Sequence, residues 1–529
     1  MIWRKSMGIY LNPGNENFKR ALAADIYVDK TQMLAVTNRF IDKANNYVCI
    51  SRPRRFGKTI TGNMLAAYYS RGCDSKGIFS GLDIGRSPEF EKKLNAYNVI
   101  QIDMNSEYQN AEDHDQLIKT LLRKLKREIR EQFADIHFEE DILADMLLRV
   151  YTETGQTFII ILDEYDVLIR EQVGTRLFEE YMSFLNGLFK SNTLRPAVSL
   201  AYLTGILPIV KDKVQSKLNN FKEYTILNSR ELGTYIGFTA AEVRRLCEQN
   251  GMDFEECRRW YDGYRPGEEE IYNPESVINS MEEKEYGSYW GQTSSYEAIS
   301  ERIRMNVTGL KEDVVRMLAG ERVEVNVTRF MNTMNSFKTK SDVFTYLIHL
   351  GYLAYDKKSG TCGIPNREVR QEWLNAIEEE KEYEITDQIV KESRSLLEKT
   401  WEGDVHAVEK ALDESHIHVT SNRSYNNEDA LQSAIYLAYI YALNQYTVVR
   451  EMTAGRGFAD VVFIPFVPKI PAMVVELKRN SSAESAIKQI KEKRYFESLS
   501  HYKGNLLFVG IDYDEKEKKH TCKIESFMK

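Results

Sequence analysis

Four short, largely apolar runs constrain this chain more than anything else in it: Tyr47–Ile50 (YVCI), Asn98–Ile102 (NVIQI), Thr157–Leu162 (TFIIIL) and Ala197–Leu203 (AVSLAYL). Between them lie amphipathic stretches such as Asp115–Phe133 and Glu139–Tyr151, whose apolar residues recur at helical spacing. A strand with no polar face must be covered on both sides, and helices alternating with such strands supply the cover. The pattern predicts an α/β fold built on a parallel sheet from about residue 46 to 207.

A chain of 529 residues is too long for one core. From 208 to about 400 the strand signal fades, and helical, charge-rich sequence dominates, broken by the turn-like Tyr261–Pro274. From about 425 to 511 the order becomes helix, strand, strand, helix, strand, which predicts a separate small α/β unit. The expected domains are 1–207, 208–400 and 401–529. The opening segment is polar and has no signal-like apolar core. The longest apolar stretch, Val461–Val475, holds Pro465, Pro468, Lys469 and Pro471, which rules it out as a membrane span. Six cysteines without a C-x-x-C pair suit a reducing cytosol, so a cytoplasmic protein with no membrane contact is expected. A net charge of −8 excludes a global, sequence-blind grip on nucleic acid, so any such site must be a local basic patch.

The first apolar run leads into Ser51-Arg52-Pro53-Arg54-Arg55-Phe56-Gly57-Lys58-Thr59, followed by a helical pattern. This is the Walker A arrangement of a P-loop, with Arg52 where the first glycine would stand. Main-chain N–H groups of the loop, from Arg52 through Phe56 and Gly57, would cradle phosphates. Lys58 would reach the β- and γ-phosphates of ATP, and Thr59 would ligate Mg²⁺. Arg54 and Arg55 are either phosphate contacts or surface charge. The third run ends in Asp163-Glu164, the Walker B arrangement: Asp163 holds the Mg²⁺ shell and Glu164 polarises the attacking water. Thr204, at the end of the fourth run, is placed to sense the γ-phosphate, or is a strand-end turn hydroxyl.

In the last block, Asp460 interrupts the apolar run GFADVVFIPF, and a buried unpaired carboxylate requires a cation or a donor. After fifteen intervening residues, Glu476 and Lys478 alternate with apolar residues and share one side of a strand. Glu428 shares a helix face with Leu431, Ala434, Ile435 and Ala438. It either caps that helix or faces a site. D…E-x-K after a helical Glu is the PD-(D/E)XK pattern. Asp460 and Glu476 would coordinate Mg²⁺, and Lys478 would orient water or neutralise the phosphorus centre. The other reading of Glu476 and Lys478 is a cross-strand ion pair. From Lys469 to Lys503, eight Lys/Arg against four Glu leave a local +4 suited to a phosphate backbone. His416 and His418 have no third ligand at suitable spacing and read as surface histidines.

RPRRFGKT, ILDEYD (161–166) and YLTG (202–205) resemble the predicted AAA-ATPase-like proteins common in bacteria, which often carry a C-terminal PD-(D/E)XK nuclease-like domain. The resemblance continues through YVDKT (27–31), GFT (237–239), WYDGY (260–264), IYNPESV (271–277), YWGQTSS (289–295), HLGYLAY (349–355) and IPNREVR (364–370). It implies ATP hydrolysis by a P-loop domain. In that family arginine occupies the position of Arg52, and a glutamine matching Gln489 supports the nuclease site. WYDGY and YWGQTSS read as turns and aromatic packing. The leading expectation is a P-loop ATPase whose nucleotide state gates Mg²⁺-dependent cleavage of nucleic acid, DNA first. The alternative is an ATP-dependent switch whose C-terminal domain only binds nucleic acid or a protein partner. Homo-oligomeric assembly is left open.

Overall fold

The computed structural model describes residues 8–527 apart from 210–217, 268, 293–295, 306, 331–336, 379, 381–382, 420–434, 455–456, 468, 496–498, 500–501 and 503. Five parallel strands form the first sheet: β1 (Tyr47–Ser51), β2 (Asn98–Asp103), β3 (Phe158–Asp163), β4 (Val198–Gly205) and β5 (Lys222–Tyr224). Their spatial order is β2-β3-β4-β1-β5. The four apolar runs thus make the parallel sheet expected of them. The fifth strand is only three residues long and two of them are charged, which an edge position tolerates, so no apolar run announces it.

Every residue of β1, β3 and β4 is buried. Ile160 and Leu162 face a core shared with Leu121, Leu125 and Ile129 of α2 (Leu117–Gln132) and Met146, Leu147 and Val150 of α3 (Leu143–Thr154). The opposite face carries α1 (Lys58–Tyr69), where a Cβ on Gly62 would lie 3.7 Å from the Ile161 side chain. Each fully buried Leu or Ile contributes about 2 kcal/mol, so a doubly covered sheet is rigid enough to hold a site at its edge. The register supplies that edge. Ser51 pairs with Gly205, Ile50 with Thr204, and Leu162 with Leu203, so β1, β3 and β4 end level. The carboxyl ends of parallel strands are where ligands bind in such sheets.

The chain divides into two compact units, residues 1–293 with 324–369, and residues 294–323 with 370–529. These limits do not fall at 207 and 400. Much of the middle region packs on the loop after β1, as described below, and so belongs with the first sheet.

The second unit is built on β6 (Tyr446–Ala454), β7 (Gly457–Pro465), β8 (Ala472–Arg479), β9 (Leu506–Asp514) and β10 (Lys519–Phe527), adjacent in that order. All pairings are antiparallel except β8 with β9, which are joined through α4 (Ala483–Lys493). Ile487 and Ile490 of α4 pack with Val462, Val474 and Phe508. A Cβ on Gly510 would lie 2.4 Å from the Ala483 carbonyl, so glycine there lets α4 approach β9 closely. The other face meets Leu396, Leu397, Val408 and Leu412. Both edge strands, β6 and β10, are additional to the order read from sequence. Among the described residues no helix is long and apolar enough to cross a membrane.

Candidate functional site

Residues 52–57 connect β1 to α1, and two of them take left-handed backbone, Arg55 at φ +68° and Gly57 at φ +85°. A Cβ on Gly57 would meet nothing within 4 Å, so the glycine is required by conformation and not by crowding. Gly57 offers no side-chain cap to the twelve-residue helix that follows. The N–H groups of its first turn are therefore available to an anion.

Lys58 is buried, and its Nζ donates to the carbonyls of Arg52 (3.2 Å) and Pro53 (2.9 Å). Burial lowers its pKa, while Glu164, Asp163 and Asp166 act in the opposite direction. Its Nζ lies 3.7 Å from Glu164 Oε1. Asp163 is 3% exposed. Burial raises its pKa, and hydrogen bonds from Thr204 and Thr59 oppose that. The Thr204 hydroxyl donates to Asp163 Oδ1, which also accepts the Glu164 N–H at 3.1 Å. Thr59 itself is exposed at the helix start. The level strand ends thus gather Lys58, Thr59, Asp163, Glu164 and Thr204. An open glycine turn, uncapped helix N–H groups and a lysine held only by carbonyls and a distant carboxylate fit a nucleotide phosphate with its metal.

Three loop residues take other surroundings. The Arg52 guanidinium is wholly buried and donates to the carbonyls of Ser51 (3.0 Å) and Tyr224 (3.3 Å), bracing the loop against β5. Its pKa falls to about 10 through burial. Its main-chain N–H donates to the Gly205 carbonyl at 3.0 Å, so neither its guanidinium nor its N–H is turned toward phosphate, contrary to the expectation for Arg52. Arg55 reaches the Tyr289 carbonyl and Glu275, each at 3.4 Å. Phe56 is buried edge-on against Tyr264, with ring centroids 5.3 Å apart.

The unexplained sequence motifs collect around this same loop. A Cβ on Gly237 would lie 3.1 Å from the Phe56 ring, and one on Gly351 would lie 2.8 Å from Pro53 and 3.0 Å from the Trp290 ring. Glu368 accepts the Tyr289 and Trp290 N–H groups, both at 2.8 Å. Lys30 pairs with Glu242 at 2.6 Å, and Glu242 closes the capping box of Thr239. The aromatic and turn motifs do pack, and Pro53, Arg55 and Phe56 of the loop after β1 are among what they pack on.

Two residues that sequence reasoning did not single out join the site. Asp166 is fully buried, and its Oδ2 accepts the N–H groups of Ile206 (3.1 Å) and Leu207 (2.8 Å). Arg170 donates to Glu164 Oε2 at 2.6 Å, and its Nε lies 3.2 Å from Asp166 Oδ2. The one signal in the sequence is that Asp166 and Arg170 stand one helical turn apart, directly after Asp163-Glu164.

In the second unit, Val461 pairs with Val475, which puts Asp460 and Glu476 at the next rung of β7 and β8. Asp460 Oδ2 accepts the Leu477 N–H at 2.7 Å. Glu476 is 1% exposed, and its Oε1 receives Lys478 Nζ (3.1 Å) and the Gln489 side-chain amide from α4. Gln489 is also bonded to the Tyr495 hydroxyl at 3.1 Å. Burial first, and then the Asp460 charge, push the Glu476 carboxyl up to about 7, against the pull of Lys478. Glu476 Oε2 is buried with no hydrogen-bond partner. An orphaned carboxylate oxygen beside a second carboxylate fits a divalent cation. Among the described residues no three His, Cys, Asp or Glu side chains gather as a metal cage. Glu428, a candidate third acid, lies outside the described residues, as do the side chains of His416 and His418.

The local positive charge is partly spoken for. Lys488 pairs with Glu492 at 3.7 Å, Lys491 with Glu525, and Arg479 with Glu515 at 2.7 Å. Exposed pairs of this kind are worth little and exchange readily for another anion.

Residues 14–215 match the family described as Predicted AAA-ATPase, and residues 426–523 match the PD-(D/E)XK nuclease superfamily. A protein of Azotobacter chroococcum mcd 1, described as an uncharacterized protein in the vnfD 5′ region, is 25% identical over 280 residues, which is 51% of each chain. The chain thus spans about half the length of this curated relative. Among solved structures, Cdc6p from Pyrobaculum aerophilum shares 12% identity over 66% of this chain and 93% of its own, with a TM-score of 0.24. The Aeropyrum pernix ORC2 protein, in ADPNP–ADP complexes, shares 13% over 68% and 98%, with a TM-score of 0.30. At these scores the fold rests on this chain's own strand order.

Proposed function

We propose, for a chain whose residues 14–215 belong to the predicted AAA-ATPase family and whose residues 426–523 belong to the PD-(D/E)XK nuclease superfamily, that ATP state in the first domain gates phosphodiester cleavage in the second. The observation that carries the nuclease half is the buried, partnerless Glu476 Oε2 beside Asp460. A module that only binds a polyanion has no use for a buried carboxylate set against a second, partly buried one.

At the first site, the N–H groups of Gly57 and the start of α1 would receive phosphate oxygens, and Lys58 would turn from the Arg52 and Pro53 carbonyls toward the β- and γ-phosphates. Thr59 and Asp163 would hold Mg²⁺, which when bound neutralises charge on the phosphates. Glu164 would take a proton from the attacking water. Thr204, bonded to Asp163, would present its hydroxyl at the γ-phosphate. At the second site Asp460 and Glu476 would hold Mg²⁺, which supplies an activated water and stabilises charge on the phosphodiester. Lys478 would orient that water, and Gln489 keeps the Glu476 side chain in one rotamer from α4. DNA is the nucleic acid proposed.

The deciding experiment is a cleavage assay on plasmid, single-stranded DNA and RNA, with and without ATP and Mg²⁺, at one fixed salt concentration. Mg²⁺-dependent cleavage that changes with ATP supports the proposal. Binding with no cleavage under any of these conditions discards the nuclease and leaves a nucleotide-dependent binding switch.

A further inference from the structure

Arg170 ends the short helix Val167–Arg170 and is only 10% exposed at its side chain. Its guanidinium touches two carboxylates at once. One nitrogen donates to Glu164 Oε2 at 2.6 Å, and Nε makes a charge contact with Asp166 Oδ2 at 3.2 Å. A planar fork can serve two acceptors in fixed geometry, which a single ammonium cannot.

Each of those carboxylates is tied to something the hydrolytic site needs. Asp166 Oδ2 accepts the N–H groups of Ile206 and Leu207, the residues just past Thr204-Gly205 at the end of β4. A Cβ on Gly205 would lie 2.6 Å from Asp166 Oδ1, so the strand end and the acid lie in close contact. Glu164 sits at φ +51°, a left-handed backbone that a glutamate adopts only when its surroundings hold it there. Its carboxylate is hydrogen-bonded to Arg170 and stands 3.7 Å from Lys58, beyond hydrogen-bond range. Without Arg170, the cation left within contact of Glu164 would be Lys58, the same ammonium that a phosphate must engage.

We propose that Arg170 is a positioning residue: it holds the Glu164 carboxylate off Lys58, keeping the lysine free for phosphate, and through Asp166 it keeps Glu164 in register with Thr204. This rests on the ATP-hydrolysis reading of the same site.

The test is a double-mutant cycle on the full chain, using Arg170→Gln, Glu164→Gln and the pair, with Arg170→Lys as the conservative variant. ATP affinity is read by calorimetry, kcat at saturating ATP and Mg²⁺, and thermal stability without nucleotide. Arg170→Gln weakens ATP binding about tenfold, because Glu164 closes on Lys58, and adding Glu164→Gln restores affinity to within about twofold of the parent. Arg170→Gln also lowers kcat about tenfold or more, yet lowers it no further once Glu164 is already glutamine. Arg170→Lys recovers most of the affinity and only part of kcat, since an ammonium can hold Glu164 but not both acids. A purely structural role gives the opposite pattern: affinity falls equally whether or not Glu164 is present, and the kcat losses multiply. Either result overturns the proposal. Should Arg170→Gln fail to fold, the same cycle run with Arg170→Lys decides on its kcat term. A parent protein that binds no ATP removes the ATP reading itself, and the affinity of the parent separates that outcome from failure of the Arg170 role alone.

Discussion

Gly351 stands so close to Pro53 that a methyl group on it would lie 2.8 Å from the proline Cβ. The helix Lys340–Leu350 therefore ends on the loop after β1, and the Tyr264 hydroxyl fastens that end by donating to the Gly351 carbonyl at 2.7 Å. Gly351→Ala is expected to weaken ATP binding several-fold and lower the Tm. Gly360→Ala is the matched control. It has φ +69° and open space, so it bears only the left-handed backbone cost of about 1 kcal/mol. If calorimetry and thermal melts give the same result for both, the contact with Pro53 does not shape the loop.

Lys58→Ala should abolish tight ATP binding, by about 100-fold, through loss of a charge-assisted phosphate contact. The fold should survive, because Glu164 keeps Arg170 as its partner. Near-normal affinity with an unchanged melting curve would remove this loop as the phosphate site.

Asp460→Asn and Lys478→Ala should each eliminate nuclease activity and leave ATP hydrolysis measurable, since the two sites share no residue. Asparagine still accepts the Leu477 N–H through its carbonyl oxygen, so β7 and β8 stay paired. Full metal-dependent cleavage by Asp460→Asn means that the activity comes from elsewhere.

Glu476 sets a pH dependence in metal-free protein. Its carboxyl is raised from the ordinary 4.5 to about 7. Below about pH 4.5 the group is protonated in folded and unfolded chains alike and costs nothing. Through the window from 4.5 to 7 the unfolded chain gives up its proton first, so stability falls as pH rises, by about 3 kcal/mol at most. Glu476→Gln should therefore raise the Tm at pH 8 and leave it nearly unchanged at pH 4.5. Mg²⁺ should stabilise the parent more at pH 8 than at pH 5, because it binds the ionised carboxylate. A Mg²⁺-induced Tm shift independent of pH contradicts this.

Coupling between the domains is measured by comparing Glu164→Gln, which should rest in the ATP state, with Lys58→Ala, which should not bind ATP. At saturating ATP their nucleic-acid affinities or cleavage rates should differ several-fold, equivalent to about 1–3 kcal/mol of coupling. Equal values mean that the domains are merely tethered.

The covered parallel sheet was legible because its central strands are apolar on both faces, and such a strand has few places to go. Of the edge strands, β2 was legible as the run Asn98–Ile102 and the others were not. Lys222–Tyr224 and Lys519–Phe527 carry charges that an edge position tolerates and a sequence pattern cannot tell from a loop. Asp166 was illegible for a different reason. The N–H groups it accepts, those of Ile206 and Leu207, come from another strand end, and hydrogen bonds between distant segments leave no periodicity in the chain.

The sequence by itself determined the chemical types and their local order: a lysine at a helix start, two acids ending a buried strand, and an acid pair beside a lysine. Tertiary structure alone decided which of these lose water and whom they meet. Arg52 belongs to the same loop as Lys58, yet its guanidinium ends wholly buried against main-chain carbonyls. Glu476 and Asp460 are ordinary carboxylates in the chain, and pairing β7 with β8 buries Glu476 and brings the Asp460 charge beside it. Burial and charge proximity set a group's protonation and its need for a cation, and both exist only after strands far apart in sequence have found their register.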